Sequence, residues 1–342
     1  MTFDAQGMLY LSGAMGGGAP AMGPGEVFVA KLDRTGAVVY ARAAFSGQTT
    51  FIRAIHTGPT GEVTLVGAFW SIMDGPLQLD GLAIKSPRHY PQTSHFMARL
   101  DTNGDASSLR LVESEAESYS DEVHAAVDAS GNILLAATLT GRVDFGPGPL
   151  GDDATDPDVA VAKLTPDGVV LWQRRLGDRQ RQTVRSVVAA SDGSSYLSGH
   201  YFGGLGIGVL SEGMAKDGLF FLKLDPEGEV AWTKTFDALG PEFAIGVGED
   251  DSLRFAKDFQ RTIDFGAGPI HSEHVSTLLG SYSNGGEFLG VASLNADTAS
   301  NPVKVGPGGV AFIAGYKPSA DYGFGPMPAS PSYGTVLMRR PW

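Results

Sequence analysis

The sequence predicts an all-β protein, and three observations point to this fold class. Glycine makes up 47 of the 342 residues, well above the roughly 7% of an average chain. Charged residues account for only 18% of the chain, so the helix formers Lys and Glu are scarce while turn formers are common. Short apolar runs separated by turn residues recur along the whole chain without helical periodicity. Short strands joined by tight turns are therefore expected.

One pattern of four apolar runs occurs six times. It is clearest from Val123 to Asp178, where the runs alternate with Gly, Pro and Asp. Repeats of this length predict alike supersecondary units that stack on one another. A turn residue between the first two runs marks each copy, at Gly7, Gly61, Gly131, Gly193, Asp251 and Gly309. The approximate units are 1–48, 49–118, 119–181, 182–240, 241–299 and 300–342.

Each unit is predicted to hold four strands in sequence order. The first strand is exemplified by 51–55 and the second by the near-continuous apolar run 133–136. A second strand without polar alternation is expected to be covered on both faces. The third strand, as at 159–164, is followed by a turn containing glycine, which suits a hairpin. The fourth strand carries an aromatic residue four positions after that glycine, which we interpret as packing between units, at Tyr40, Trp172 and Trp232.

Small residues stand six positions after the turn residue in most copies, and they predict close packing there. Glycine occupies the position in four copies and alanine in one, while Lys257 breaks the rule in the fifth copy. Six four-stranded units whose faces must cover one another predict a β-propeller of six blades, forming a single domain over 1–342. A sandwich fits less well, because its strands would alternate between apolar and polar faces.

The first and last units are incomplete. Residues 1–6 supply only the tail of a first strand, and Trp342 follows directly on a third strand. We expect the sequence to begin inside a longer natural chain, with an export signal lost upstream. A seven-bladed propeller with one blade outside this sequence is one alternative, and a ring that tolerates a missing edge strand is the other.

Composition excludes several classes of partner. The net charge is −13 and the pI about 4.9, so nucleic acid and anionic membrane surfaces are poor partners. There is no cysteine, hence no disulfide and no zinc–thiolate site. No apolar run approaches the ~20 residues of a transmembrane helix, and Met1-Thr2-Phe3-Asp4 does not begin a signal peptide. We expect a monomer that binds cationic or neutral partners.

Several short strings resemble a known family. They are D-A-S-G-N-I-L-L at 128–135, D-F-G-P-G-P-L at 144–150 and A-K-L-T-P-D-G at 162–168, followed by Trp172. Together they resemble the bacterial cell-surface β-propeller repeat family (SBBP-like repeats), over nearly the whole chain and most strongly in the third and fourth units. The chain also resembles, less closely, quinone-enzyme and outer-membrane-assembly propellers, whose units are shorter. The first resemblance implies a secreted or envelope protein, lipoproteins included, with a binding or scaffolding role and no catalytic residues to transfer.

The long connections all join a second strand to a third. In a propeller these connections share one rim, where we expect the functional surface; unconstrained variation in length is the alternative. They span approximately 14–26, 70–95, 140–158, 202–217, 260–274 and 317–333.

The longest connection combines aromatic and cationic side chains. Such groups beside the axis suit an acidic or sugar ligand, although packing of the loop is the simpler explanation. The candidate ligand-binding residues are Trp70, Lys85, Arg88, His89, Tyr90 and His95.

Two further groups of residues suggest metal binding. Four carboxylates in one loop suit calcium, namely Asp152, Asp153, Asp156 and Asp158. Their spacing is not that of an EF-hand, and a solvated acidic loop is the alternative. His271 and His274 offer two imidazoles, whereas structural zinc usually takes four ligands. The literal G-x-G-x-x-G at 146–151 and the D-F-G strings at 144 and 264 are interpreted as a repeated turn that ends a strand.

These observations predict a non-enzymatic propeller of the bacterial envelope that recognises a protein or a glycan on its loop-rich face. No catalytic residue and no cofactor other than calcium is assigned. The alternative is a carbohydrate-active hydrolase or lyase with an axial active site, since a fold does not determine a function.

Overall fold

The computed structural model describes the chain in fourteen segments of well-placed residues. The described residues are 2–4, 6–14, 27–58, 60–70, 75–86, 93–112, 123–150, 157–177, 180–203, 217–236, 243–294, 300–306, 309–315 and 335–340. They form two compact units, Met1–Arg179 and Gln180–Trp342. Every regular element among them is a β-strand, so the all-β prediction is confirmed. No helix in this part of the chain has the length and apolarity to cross a membrane.

The first unit contains three four-stranded antiparallel sheets, each with its strands in chain order. Sheet 1 consists of β1 (Thr2–Phe3), β2 (Leu9–Ala14), β3 (Val27–Leu32) and β4 (Val38–Ala43). Sheet 2 consists of β5 (Thr49–Thr57), β6 (Val63–Trp70), β9 (Thr93–Leu100) and β10 (Ala106–Leu111). Between β6 and β9 the chain forms a separate hairpin of β7 (Leu77–Leu79) and β8 (Leu82–Ile84). Sheet 3 consists of β11 (Val123–Val127), β12 (Ile133–Leu139), β13 (Asp158–Leu164) and β14 (Val170–Leu176).

The second unit repeats this arrangement. Sheet 4 consists of β15 (Gln182–Ala189), β16 (Ser195–Tyr201), β17 (Gly218–Leu224) and β18 (Val230–Phe236). Sheet 5 consists of β19 (Ala244–Val247), β20 (Leu253–Asp264), β21 (Pro269–Tyr282) and β22 (Phe288–Leu294). Sheet 6 shows three strands among the described residues, namely β23 (Ser300–Gly306), β24 (Gly309–Gly315) and β25 (Thr335–Arg340).

In sheets 2 to 5 the second and third strands supply most of the core, as their apolar sequences predict. In β6, every residue from Val63 to Phe69 is buried, and β13 and β17 are buried throughout. The small residues predicted to mark close packing do so. A Cβ on Gly67 would lie 2.4 Å from the carbonyl oxygen of Phe51, closer than any real contact. Lys257 occupies the same position in sheet 5, and its buried Nζ lies 5.1 Å from the centre of the Phe243 ring.

The turns between first and second strands, and between third and fourth strands, all close in the same way. In sheets 1 to 5 the backbone N–H of the fourth turn residue donates to the carbonyl of the first. Asp101 adds its side chain, whose Oδ1 accepts the N–H groups of Asn103 and Asp105 at 2.9 Å each. The string at 101–105 is therefore a turn, as predicted. We call this side of each sheet the turn end, and the opposite side, where second strands lead to third strands, the connection end.

Aromatic residues of one sheet pack on the turns of the next sheet within each unit. A Cβ on Gly104 would lie 2.9 Å from the Tyr40 ring, and one on Gly286 would lie 3.1 Å from the Trp232 ring. The Trp232 indole N–H also donates to the Asn284 carbonyl at 3.0 Å. For Tyr40 and Trp232 the predicted packing between neighbouring sequence repeats is confirmed.

Two of the connections between second and third strands contain described strand residues that were expected to be loop. Residues 260–274, expected to be a loop, continue β20 and β21 as a hairpin, and 70–95 includes β7 and β8. The D-F-G strings are the predicted repeated turn: Asp144 Oδ1 accepts the N–H of Gly146 at 2.7 Å, and Asp264 Oδ1 that of Gly266 at 2.8 Å. The phenylalanine of each string is buried, and Tyr282 donates a hydrogen bond to the Phe265 carbonyl at 2.7 Å. These parts of the connections therefore belong to the core.

Candidate functional site

The connection end of sheet 2 carries a stack of aromatic and cationic side chains. Antiparallel pairing sets Trp70, at the end of β6, opposite Thr49, at the start of β5. The Trp70 ring meets the Phe51 ring edge-on, with centroids 5.0 Å apart, and the Arg53 guanidinium carbon lies 5.9 Å from the Phe51 centroid. The Trp70 indole N–H donates to Thr93 Oγ1 at 2.9 Å, which fixes the indole plane. We call Phe51, Arg53 and Trp70 the first stack.

Sheet 4 carries a comparable group at the same end. The Arg181 guanidinium carbon lies 5.3 Å from the centroid of the Phe202 ring, and the His200 ring is stacked 6.4 Å from that centroid with an interplanar angle of 27°. The Phe202 N–H donates to the Arg181 carbonyl at 3.0 Å, and the Gly203 N–H donates to Asp217 Oδ1 at 2.9 Å. We call Arg181, His200 and Phe202 the second stack.

The two stacks occupy equivalent places in the repeat. Trp70 follows the turn residue Gly61 by nine positions, and Phe202 follows Gly193 by the same number. The repeat therefore contained a signal for Phe202, which the sequence analysis did not use. Arg181 precedes its strand and has no fixed repeat position, so only the structure shows that it belongs to this group.

Backbone irregularities accompany both stacks. The strand register shifts between Ile52 and Ala54, and again between Val184 and Ser186. Arg53 and Arg185 are thus the bulge residues of two first strands. A bulge redirects a side chain out of the regular alternation and is frequent beside binding sites.

The predicted ligand-binding residues are described only in part. Trp70 is part of the first stack, and Lys85 is exposed just after β8. His95 is buried in β9, where its carbonyl accepts the Val112 N–H at 2.9 Å. Arg88, His89 and Tyr90 lie outside the described residues. Ligand binding by this connection stays a prediction.

The predicted acidic site falls mostly outside the described residues. Asp152, Asp153 and Asp156 are not described, whereas Asp158 is buried at the start of β13 and accepts a hydrogen bond from Arg175 Nε at 2.5 Å. No group of three or more His, Asp or Glu side chains with metal-site geometry occurs in the described part of the chain. Calcium binding stays a prediction.

The two histidines considered for a metal are likewise described only in part. His271 Nδ1 lies 3.1 Å from Thr262 Oγ1 across the β20–β21 hairpin. The side chain of His274 lies outside the described residues. A metal role for this pair also stays a prediction.

Several groups with perturbed pKa values belong to the turn end. Burial, with the charges of Asp192, Asp251 and Asp250 added, raises the pKa of Tyr196, whose hydroxyl donates to the Asp251 carbonyl at 2.6 Å. Tyr10 makes the equivalent bond to the Gly61 carbonyl in sheet 1, and burial raises its pKa too. Perturbed pKa values often mark functional sites, but these two phenols join one sheet to the next and have a structural explanation.

The chemistry of the two stacks suits an anionic or ring-shaped ligand. A guanidinium held against an aromatic face keeps its planar set of N–H donors at its edge, which suits carboxylate or sulfate. An imidazole adds a further donor or acceptor. Both stacks lie at the connection end, which is where the sequence predicted the functional surface.

Comparison with known proteins gives only distant likenesses. No protein-family profile matches the chain. No curated protein matches it either. A polysaccharide lyase of family PL25, an ulvan lyase, is 13% identical with a TM-score of 0.46, covering 92% of this chain and 76% of its own. The α-L-arabinofuranosidase Arb93A from Fusarium graminearum is 10% identical with a TM-score of 0.45, covering 99% and 91%. The Synechocystis apocarotenoid oxygenase is 11% identical with a TM-score of 0.40, covering 92% and 71%. At these TM-scores no family assignment follows.

Proposed function

We propose that the six sheets form a six-bladed β-propeller and that the protein is a non-enzymatic binding protein of the bacterial envelope. Its connection end recognises a protein or glycan partner. The observation that carries this proposal is a contrast in structure: the turn end consists of short hydrogen-bonded turns, whereas the connection end presents the aromatic and cationic stacks. The envelope location rests on the resemblance of the repeat strings to cell-surface propellers.

The turn end has the character of a structural surface. Its turns are short and close on their own hydrogen bonds, as at Asp33, Asp128 and Asp225. Their glycines and carbonyls also receive side chains from the neighbouring sheet, such as Arg110 Nη1, which donates to the Gly168 carbonyl at 2.6 Å. Backbone groups committed to such contacts have little capacity left for a ligand.

The connection end has the character of a binding surface. It carries the first and second stacks and the exposed Lys85, and its hairpins are anchored by the buried side chains of Leu77, Phe145 and Phe265. A rigid scaffold that presents adaptable connections is the usual arrangement of binding proteins.

Single cysteines can test which end binds, because the chain has no cysteine of its own. Lys85→Cys places an exposed thiol at the connection end, and Ala129→Cys places one at the turn end. Each variant is coupled to a polyethylene glycol maleimide and applied to a glycan array and to fractionated envelope proteins. We expect coupling at residue 85 to abolish binding of the partner that the unlabelled protein selects, while coupling at residue 129 leaves it intact. The reverse pattern, or the absence of any partner, would refute the proposal.

A carbohydrate-active enzyme is the second candidate, supported by one observation. His200 and Arg181 contact the same Phe202 ring. An imidazole can accept a proton, and a guanidinium can neutralise a uronate carboxylate, which is the pairing that elimination from a uronate requires. Release of unsaturated uronates from acidic polysaccharides, lost in His200→Ala, would establish this activity. Intact polysaccharides after prolonged incubation would exclude lyase activity on the polymers tested.

A further inference from the structure

We propose that the second stack is a binding subsite for the anionic group of an acidic sugar, either a uronate carboxylate or a sugar sulfate. The inference rests on the proposed function, because it assigns a ligand class to part of the connection end. Three features of Arg181, His200 and Phe202 carry it: the position of the guanidinium, the lack of an ion pair with any carboxylate of the described residues, and the apolar wall beside it.

The backbone of Arg181 is fixed beside Phe202, and the Phe202 ring lies next to the guanidinium. The Phe202 N–H donates to the Arg181 carbonyl at 3.0 Å, so the two residues are locked side by side. The Phe202 ring then lies 5.3 Å from the guanidinium carbon and restricts the rotamers of the arginine. A cation restrained before binding loses less conformational entropy when an anion arrives.

Arg181 differs from the arginines that are paired with a carboxylate in the structure. Arg42, Arg99 and Arg175 each form an ion pair with a nearby carboxylate. Arg181 is exposed and forms no ion pair with a described residue. In a protein with a net charge of −13, an exposed and restrained cation that pairs with no carboxylate of the described segments is suited to an anionic ligand.

The surroundings of the guanidinium favour a sugar over a free inorganic anion. Phe202 offers a half-exposed apolar surface beside the charge, against which the C–H face of a sugar ring can pack. His200 adds a polar imidazole against the same ring. The Gly203 N–H donates to Asp217 Oδ1 at 2.9 Å, which fixes the backbone directly after Phe202. An apolar wall next to a charged donor matches a ligand that is part ring and part anion.

Calorimetric titration of the full chain tests the subsite. The probes are a galacturonate tetrasaccharide, a sulfated tetrasaccharide of equal length, neutral cellotetraose and inorganic sulfate. We expect one of the two acidic oligosaccharides to bind, with the preferred one identifying the anion, and cellotetraose and sulfate to bind at least tenfold more weakly. Arg181→Gln should lower the affinity for the preferred acidic probe about tenfold, because a charge-assisted hydrogen bond is lost. Added salt should weaken binding as well.

Matched variants separate recognition from folding. Arg181→Lys keeps the charge and should restore part of the affinity, and Phe202→Leu keeps an apolar side chain but removes the ring. Arg254→Gln, at the turn end of sheet 5, should leave the affinity unchanged, and thermal unfolding monitored by circular dichroism confirms that each variant is folded.

Equal affinity of Arg181→Gln and the parent protein would overturn the subsite. So would equal binding of cellotetraose, or no binding of either acidic probe. These failures are distinguishable from failure of the proposed function, because binding of another partner that is blocked at residue 85 but not at residue 129 would still support the connection end as the binding surface.

Discussion

Asp128 shows how a single turn residue joins local and tertiary structure. Its Oδ1 accepts the N–H groups of Ser130 at 2.9 Å and Asn132 at 2.8 Å, which closes the turn. Its Oδ2 lies 3.0 Å from Lys163 Nζ, and both side chains are buried. Burial acts to raise the pKa of Asp128, but hydrogen bonds from Asn132 and Lys163 outweigh it and hold the pKa below its usual value.

Replacing Asp128 by Asn should therefore destabilise the protein in a pH-dependent way. Asn keeps an acceptor for the turn but removes the negative charge 3.0 Å from the buried Lys163 Nζ, which costs about 3 kcal/mol near pH 7. Because the pKa of Asp128 is lowered in the folded state, its stabilisation is complete above the unfolded value of about 4. It is lost as the pH falls through the lower folded value. In urea unfolding, the difference between the parent and D128N should be large at pH 7 and shrink below pH 4.

Asp33→Asn is the matched control for this prediction. Asp33 closes an equivalent turn, where its Oδ1 accepts the Thr35 and Ala37 N–H groups at 2.8 and 2.9 Å. It is only partly buried, unlike Asp128, and forms no ion pair with a described residue. D33N should lose less stability than D128N at pH 7. Equal losses of stability in the two variants would show that the Asp128–Lys163 pair does not cause the destabilisation. So would a difference in unfolding free energy between the parent and D128N that does not change with pH.

Among elements, the turn between third and fourth strands is the joint that holds one sheet to the next. Gly36 and Gly104 occupy the same position in sheets 1 and 2 and have φ angles of 86° and 89°. They differ in their surroundings: a Cβ on Gly36 would meet nothing within 4 Å, whereas one on Gly104 would lie 2.9 Å from the Tyr40 ring. Burial raises the pKa of Tyr40 to about 12, which agrees with a phenol enclosed between sheets.

Substitutions at these two glycines can measure how much the contact between Tyr40 and the turn of sheet 2 contributes to stability. Gly36→Ala should cost about 1 kcal/mol, the usual penalty for a Cβ at positive φ. Gly104→Ala carries the same backbone penalty and also displaces Tyr40, so it should cost about 1–3 kcal/mol more. Chemical denaturation of both variants gives the difference. Equal costs would mean that the contact between Tyr40 and the turn contributes little to the packing of sheet 1 on sheet 2.

At the level of elements, much of the fold is predictable from the sequence, whereas the candidate site is predictable only in part. The apolar run at 133–136 and the turn at 101–105 have patterns that depend only on neighbouring residues, so their structures follow from local rules. Residues 260–274 were predicted to be a loop because their polar side chains hide the strand pattern; Ile263 and Phe265 are buried by the tertiary fold. Arg181 and Phe202 lie far apart in sequence, so their contact required the strand pairing.

For the whole molecule, the decisive question is whether the two units close into the proposed ring. Each unit contains successive sheets whose aromatic residues pack on the next sheet's turns, as Tyr40 and Trp232 do. That relation can be repeated from sheet to sheet without limit, and six repetitions around an axis would leave no apolar face uncovered. The net charge of −13 would keep such a ring soluble and monomeric.

Small-angle X-ray scattering can distinguish the ring from two units that move independently. A single compact domain of 342 residues should have a radius of gyration of about 20 Å, a scattering mass near the 35.8 kDa of one chain, and a distance distribution with one peak. Two units joined only through residues 178–179 should give a radius well above that value and a second peak or shoulder at long distances. The double variant Gly104→Ala and Gly286→Ala provides a control, because loosening the joint inside each unit should expand a closed ring. A two-peaked distribution for the parent protein would contradict the ring and leave each three-sheet unit as the independent structural module.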